Sequence, residues 1–326
     1  MIRRAAASLF AIAVIGLALV LAWRLISPHA PGRAPAASAP VVAAVPAPAP
    51  AALAPDPAPA TPAATPAPAP SCPPAPEFAA AAEANEISIR TATWAPFGRQ
   101  EQGWAIYAPL AAHEIGTACQ ADQPGFAAAL SVWQKAHGLA ATGVMDVRSL
   151  DALRVLWLQR RPFVIAFRGG VCPLATDPAN LVQAQPNESY GGKAIQLAPG
   201  ALAAWRAMVA AARTESPAIA ADPRLLTIFS GYRSPDADAA FCDANGGCGR
   251  VARVRCSAHR TGTAMDLYLG SAPGSRPESS ADDNRLFQAR SEAYRWLVAN
   301  ASRFGLVPYP FEPWHWEWTG GSQGAG

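Results

Sequence analysis

The chain has 326 residues, 51% hydrophobic and 15% charged, with a formal net charge of +3. That length accommodates two modest domains. A balance so close to neutral, with no dense Lys/Arg run, excludes the electrostatic footprint of a nucleic-acid-binding protein.

Ala5 to Trp23 is an apolar run broken only by Ser8 and preceded by Arg3 and Arg4. A helix of about 20 such residues spans a bilayer, and the run exceeds the usual signal-peptide core of about 7–15 residues. It predicts an uncleaved single-pass membrane anchor over 1–25. Ala37-Ser38-Ala39 leaves cleavage open as the alternative. Pro28 to Glu77 then alternates Ala and Pro with almost no charge. Such a segment buries too little apolar area to fold and favours extended polyproline II, reaching roughly 150 Å at about 3.1 Å per residue. We read 26–83 as a disordered linker that carries the rest of the chain away from a membrane.

Helical periodicity returns between Trp104 and Trp157. Phe126, Leu130, Trp133 and His137 share one face, and Gly138 ends that helix. Thr142 to Ser149 reads as a turn, with Asp146 or Ser149 capping a helix through Leu158. This segment, on Phe126, Trp133-Gln134, His137-Gly-Leu139, Thr142-Gly-Val144 and Ser149-Leu150, resembles the peptidoglycan-binding domain of wall hydrolases. The resemblance implies a small three-helix module over 84–165 that docks on cell-wall glycan. A plain helical spacer is the alternative, with His113 and His137 as surface or cap histidines.

A Gly- and Pro-bearing connector follows from Arg161 to Asn187. Leu202, Trp205, Met208 and Val209 predict a helix from about Pro199 to Arg213. Leu225 to Phe229 and Asp266 to Leu269 read as strands, and Tyr294 to Phe304 as a helix ended by Gly305. Strands and helices interleave too irregularly for a wound parallel sheet, so 166–326 is expected to be an α+β domain with an antiparallel sheet and flanking helices. The six cysteines (Cys72, Cys119, Cys172, Cys242, Cys248, Cys256) form no Cys-x-x-Cys pair, and an even count behind an export-like N-terminus favours disulfides. We expect Cys119 with Cys172 and a local bridge among Cys242, Cys248 and Cys256. This usage places the C-terminal bulk outside the cytoplasm, in the periplasm if the cell is Gram-negative.

The chemistry concentrates in Ser257-Ala-His-Arg-Thr-Gly-Thr-Ala-Met-Asp266 and Glu312-Pro-Trp-His-Trp-Glu-Trp318. His259, Asp266 and His315 make a three-ligand Zn2+ set with the fourth position left for water. Glu312, three residues before the second histidine, is placed to take the proton of that water. The ligands lie on separate elements, unlike the i, i+4 pair of a His-Glu-x-x-His helix.

With Ser230-Gly-Tyr-Arg-Ser234, Trp296-Leu-Val-Ala-Asn-Ala301 and Phe304-Gly-Leu306, these motifs make roughly 190–319 similar to the VanY-type zinc D-alanyl-D-alanine carboxypeptidases. The resemblance implies one Zn2+ per chain on His259, Asp266 and His315, with Glu312 as base and Arg233 polarising the scissile carbonyl. It also implies a substrate wall that includes Ser257, Tyr232 and Trp314. Departures are Ala258 and Arg260 in place of Glu and Gln, Asp238 in place of Gln, and an insert over Cys242–Cys256. They fall on the expected substrate wall, so the cleaved bond is the open point. Read singly, Arg233 is a charge pairing with Asp236 or Asp238. Trp314, Trp316 and Trp318 are core or cleft walls, and Glu317 is a carboxylate in solvent or behind the ligands. The expected function is hydrolysis of the D-alanyl-D-alanine bond of peptidoglycan stem peptides. The alternatives are a zinc endopeptidase of wall cross-links and a non-catalytic wall-binding protein.

Overall fold

The structure is a computed structural model, and it describes residues 72–167, 169–244, 247–248 and 256–321. The anchor expected at 1–25 and the linker through residue 71 lie outside these residues. No helix among the described residues is long and apolar enough to cross a membrane.

Residues 76–83, inside the expected linker, are helical. After a 3-10 turn over Pro76–Phe78, helix α1 spans Ala79–Thr91. The Cys72–Cys119 disulfide ties the entering chain to the helical segment. A short hairpin follows, β1 (Thr93–Trp94) with β2 (Glu101–Gln102), and then α2 (Ala108–Glu114). Helix α3 (Pro124–Ala136) carries Phe126, Leu130 and Trp133 on its buried face. Helix α4 (Val147–Gln159) is capped by Asp146, whose side chain accepts from the Ser149 backbone N–H at 2.8 Å. The turn between α3 and α4 is held by two buried amides. Asn85 bridges the Gly143 carbonyl (2.9 Å) and the Met145 N–H (2.7 Å), while Gln134 bonds Gly143 and Val144. The Trp133-Gln134 and Thr142-Gly-Val144 signature is therefore internal scaffolding, and this part of the chain holds four helices and a hairpin where three helices were expected.

Helix α5 (Pro162–Ala166) leads into the connector, which contains the hairpin β3 (Val182–Gln183) and β4 (Gln196–Leu197). Helices α6 (Pro199–Glu215) and α7 (Pro217–Ala221) precede β5 (Ile228–Ser230) and α8 (Pro235–Ala244). Strand β5 starts later than the apolar run suggests, because Leu226 takes a left-handed φ of 66°. Its carbonyl accepts from the Trp205 indole at 2.9 Å, which holds a conformation that a leucine disfavours by about 1–2 kcal/mol. Strand β6 (Ala264–Leu267), α9 (Asp282–Ala289), α10 (Glu292–Asn300), β7 (Leu306–Tyr309) and β8 (Glu312–Trp318) complete the fold. The sheet is antiparallel in the order β5-β6-β8-β7. This is the mixed helix and sheet class that the motif spacing predicts for the C-terminal part.

The disulfides correct one expectation. Cys172 pairs with Cys256, not with Cys119, and Cys242 pairs locally with Cys248. The reason is the path of the connector, which runs along the turn after Cys256. Thr176 donates from its backbone to the Arg260 carbonyl (2.8 Å) and from its hydroxyl to the Thr261 carbonyl (2.7 Å).

One apolar cluster runs without interruption from Trp94 and Trp104 through Trp205 to Trp316. The helical segment and the sheet thus share a core, and two buried ion pairs cross between them. Arg285 of α9, with no exposed surface, donates to Glu101 of β2 (2.9 Å), to the Tyr107 hydroxyl (2.6 Å) and to the Phe311 carbonyl (2.8 Å). Arg161 meets Glu317 of β8. A buried carboxylate stripped of its counter-charge costs about 3–5 kcal/mol. Arg285→Met should therefore lower the unfolding free energy by about that amount in urea titration. A loss under about 1 kcal/mol would show that Glu101 is reached by water.

Candidate active site and metal centre

The site begins with strand pairing. In the β6–β8 ladder Asp266 lies directly opposite His315, Met265 opposite Trp316 and Ala264 opposite Glu317. Alternation along a strand then sorts the side chains. His315, Glu317 and Asp266 share one face. Trp314 and Trp316, 2% and 1% exposed, face the other way into the core.

His259 arrives from outside the sheet. It sits in a 3-10 turn over Ala258–Thr261, capped by Ser257, whose hydroxyl accepts from the His259 backbone N–H at 3.2 Å. Gly262 closes the turn at φ 68°, and a Cβ there would lie 2.7 Å from Leu181 Cδ2, so the position needs glycine. Gly231 lets the loop after β5 come close to β4. Its carbonyl accepts from His259 Nδ1 at 2.7 Å, and a Cβ on it would meet the Gln196 carbonyl at 2.6 Å.

These bonds orient the two imidazoles. A carbonyl oxygen only accepts, so the His259 proton sits on Nδ1 and the Nε2 lone pair points inward, 3.2 Å from Asp266 Oδ2. On His315 the ring is turned the other way, and its inner Nδ1 is hydrogen-bonded to the Asp266 carboxylate, which can only accept. Nε2 faces Glu317 Oε1 at 3.4 Å, and Nδ1 points inward, 2.9 Å from Asp266 Oδ1. The donor atoms of all three residues lie within 4.8 Å of one another, and all three are buried. Ligands at about 2.0–2.1 Å from a tetrahedral zinc stand about 3.3–3.4 Å apart, close to the spacings found here. The inner nitrogens of two imidazoles and a carboxylate converge on one point, a donor set that fits a divalent cation.

The electrostatics separate three carboxylates. Burial would raise Asp266, but His259 and His315 on either side hold it well below the usual range. Burial would likewise raise Glu317, yet the Arg161 charge and the His315 contact bring it down to about 2. Glu312 lacks such support, and burial pushes it up to about 7. Its Oε2 lies 4.0 Å from His315 Nδ1, beside the ligand cluster. For the imidazoles, burial lowers His259, whereas His315 rises to about 9 because bonds to Asp266 and Glu317 outweigh its burial.

Arg233 lies next to the ligand turn. Its Nε donates to Asp238 at 2.9 Å, and its terminal nitrogens donate to Ser230 (2.8 Å) and Ser257 (3.2 Å). Asp238 is 2% exposed, so the aspartate that departs from the family pattern serves here as the anchor of Arg233. Ser257 is committed to the turn and to Arg233. Tyr232 is half-buried, with its backbone N–H on the Gln196 carbonyl (2.8 Å). Trp314 is a core residue. Arg260, another departure on the expected substrate wall, turns toward the connector at Cys172 and Pro173. One participant escaped the sequence reading. Glu317 was legible in the period-two alternation of β8, but Arg161 lies 156 residues from its partner and left no local signal.

Comparison with known proteins shows what this segment is similar to. Residues 194–321 match the family model of VanY, D-alanyl-D-alanine carboxypeptidase. The match covers both ligand motifs, Glu312 and Arg233 of the VanY-like segment. No curated protein matches the chain. Among solved structures, one similar chain is a variant of the vancomycin-resistance D,D-pentapeptidase VanY from a VanB-type cassette, in complex with Zn(II). It is 21% identical over 45% of this chain and 86% of that chain, with a TM-score of 0.27. Another is VanYB in complex with D-alanine-D-alanine, 20% identical over 46% and 82% of the two chains, with a TM-score of 0.28.

The ligand assignment predicts one zinc per chain in the purified protein. Asp266→Asn removes the charge between the imidazoles and should reduce zinc content by elemental analysis to background. Stoichiometric zinc in that variant would place the metal elsewhere.

Proposed function

We propose that the protein is a zinc-dependent D,D-carboxypeptidase that removes the terminal D-alanine from peptidoglycan stem peptides. The observation that carries this reading is the convergence of His259 Nε2, Asp266 and His315 Nδ1 beside Glu312, within the VanY-matching segment. His259, Asp266 and His315 would hold the zinc. When bound, it lowers the pKa of a coordinated water toward about 7 and polarises the scissile carbonyl. Glu312 stands within reach of that position. With its carboxyl raised to about 7, it is poised near neutral pH to take the water proton and then release it to the leaving amine nitrogen. Arg233, fixed by Asp238, Ser230 and Ser257, turns positive charge toward the carbonyl oxygen as it gains negative charge.

In this reading the three disulfides suit an oxidising envelope compartment. The apolar 1–25 segment anchors the chain in the inner membrane, the Pro/Ala segment spans toward the wall, and 84–165 contributes wall affinity.

The test is release of D-alanine from a defined pentapeptide stem, with and without a chelator. Chelator-sensitive release is expected from the wild-type protein. Glu312→Gln should abolish turnover while zinc stays at one per chain; near-normal activity in that variant would remove Glu312 from the role of base. Arg233→Met should lower kcat by about 10²–10³-fold, the loss typical of one oxyanion donor, with a smaller change in KM. Splitting of cross-linked dimers without free D-alanine would instead identify an endopeptidase.

A further inference from the structure

On the ligand face of β8, beside His315, ends a buried chain of contacts that comes from the other part of the molecule. Arg161, at the end of the helical segment, is 7% exposed. Its Nε donates to Glu317 Oε1 at 2.7 Å, and a terminal nitrogen donates to the same oxygen. The other Glu317 oxygen accepts from the Phe163 backbone N–H at 2.9 Å. The Arg161 guanidinium also covers the Tyr309 ring, 3.9 Å from its centroid, and that ring meets His315 edge-on at 5.9 Å. Glu317 is 1% exposed and reaches His315 Nε2 at 3.4 Å. Arg161 and Phe163 both precede residue 194, where the VanY match begins.

We propose that Arg161 is a positioning residue of the metal centre: acting through Glu317, it fixes the His315 ring so that Nδ1 faces the metal, and the helical segment is thereby part of the peptidase site. The inference rests on the zinc reading above. A fully buried carboxylate keeps a single position where donors on both of its oxygens hold it. Arg161 supplies the charge and Phe163 the second donor. Glu317, so fixed, stands 3.4 Å from the outer nitrogen of His315 and keeps the ring turned with Nδ1 toward Asp266. Partners of this kind, standing behind a ligand, commonly change metal affinity by about 10–100-fold. The bland alternative is an ion pair that only fastens two parts of the fold, and it predicts no dependence of the metal on Arg161.

The full chain is compared with Arg161→Met, Glu317→Gln and the double variant, with zinc affinity read by chelator competition and folding by thermal denaturation. Each single variant should bind zinc about 10–100-fold more weakly. The double variant should be no weaker than Glu317→Gln by more than about 3-fold, because Arg161 acts only through Glu317. Multiplicative losses, or unchanged affinity in a folded Arg161→Met, would overturn the proposal. Cobalt(II) loading adds a second readout. The visible bands should shift in Arg161→Met and also in Arg161→Lys, whose ammonium keeps the charge but not the planar fork. Arg161→Lys serves if the methionine variant does not fold, and bands identical to wild type in the folded variants would overturn the role. A wild-type chain that binds neither zinc nor cobalt would remove the zinc reading and this inference together. Normal wild-type binding with indifferent variants would remove the inference alone.

Discussion

The antiparallel pairing of β6 with β8 is the constraint on which the site depends. Its hydrogen-bond register puts Asp266 opposite His315, and no other register of these two strands would do so. A slip by one residue would turn His315 and Glu317 into the core and bring Trp314 and Trp316 to the ligand face. The tryptophans therefore specify the His-Asp-His cluster without belonging to it: burying them on one side forces the polar residues to the other. Only His259 is independent of the ladder, and it is delivered by a capped turn whose shape requires Gly262.

Burial gives each charged group in this region a distinct behaviour. Asp266, Glu312 and Glu317 are the same functional group within one small volume, yet their neighbours set them apart. Asp266 has an imidazole on each side, and Glu317 has a guanidinium and a backbone N–H. Glu312 has neither, and so it is the carboxyl whose affinity for a proton rises to the range useful for transfer near neutral pH. The division of labour thus follows from partners, with residue type held constant. Arg233 obeys the same logic from the cationic side. Its contacts with Asp238, Ser230 and Ser257 hold the fork still, and a fixed cation needs little reorganisation when charge develops beside it.

Much of this was legible in the sequence because it is carried by local text. The His259 to Asp266 spacing, the Glu312-x-x-His315 pair and the two glycines of the ligand loops are short-range statements, and the helices at Pro199 and Glu292 follow from periodicity. What was not legible is long-range. Cys172 could be matched to Cys256 only once the connector was seen to run beside the 258–261 turn. Leu226 broke an apolar run that reads as strand because the Trp205 indole captured its carbonyl. Asp238 reads as a lost glutamine, yet its role is set by Arg233 folding back onto α8. Arg161 has no motif at all, since its meaning lies in a partner on the last strand.

Strand β8 is held at both ends by charges exchanged between the two parts of the chain. At its start, Arg285 of the sheet domain spans from Glu101 and Tyr107 to the Phe311 carbonyl, one residue before Glu312. At its end, Arg161 of the helical segment holds Glu317. Buried ion pairs contribute little net stability, because desolvation offsets most of their attraction, but they discriminate strongly between one docking arrangement and its neighbours. A purely apolar contact between the helical segment and the sheet could shift by an ångström at small cost. With these two pairs in place such a shift strands a buried charge, so the helical segment is set against the strand that carries both Glu312 and His315. Precision of that order is what a three-ligand metal site demands of its supports.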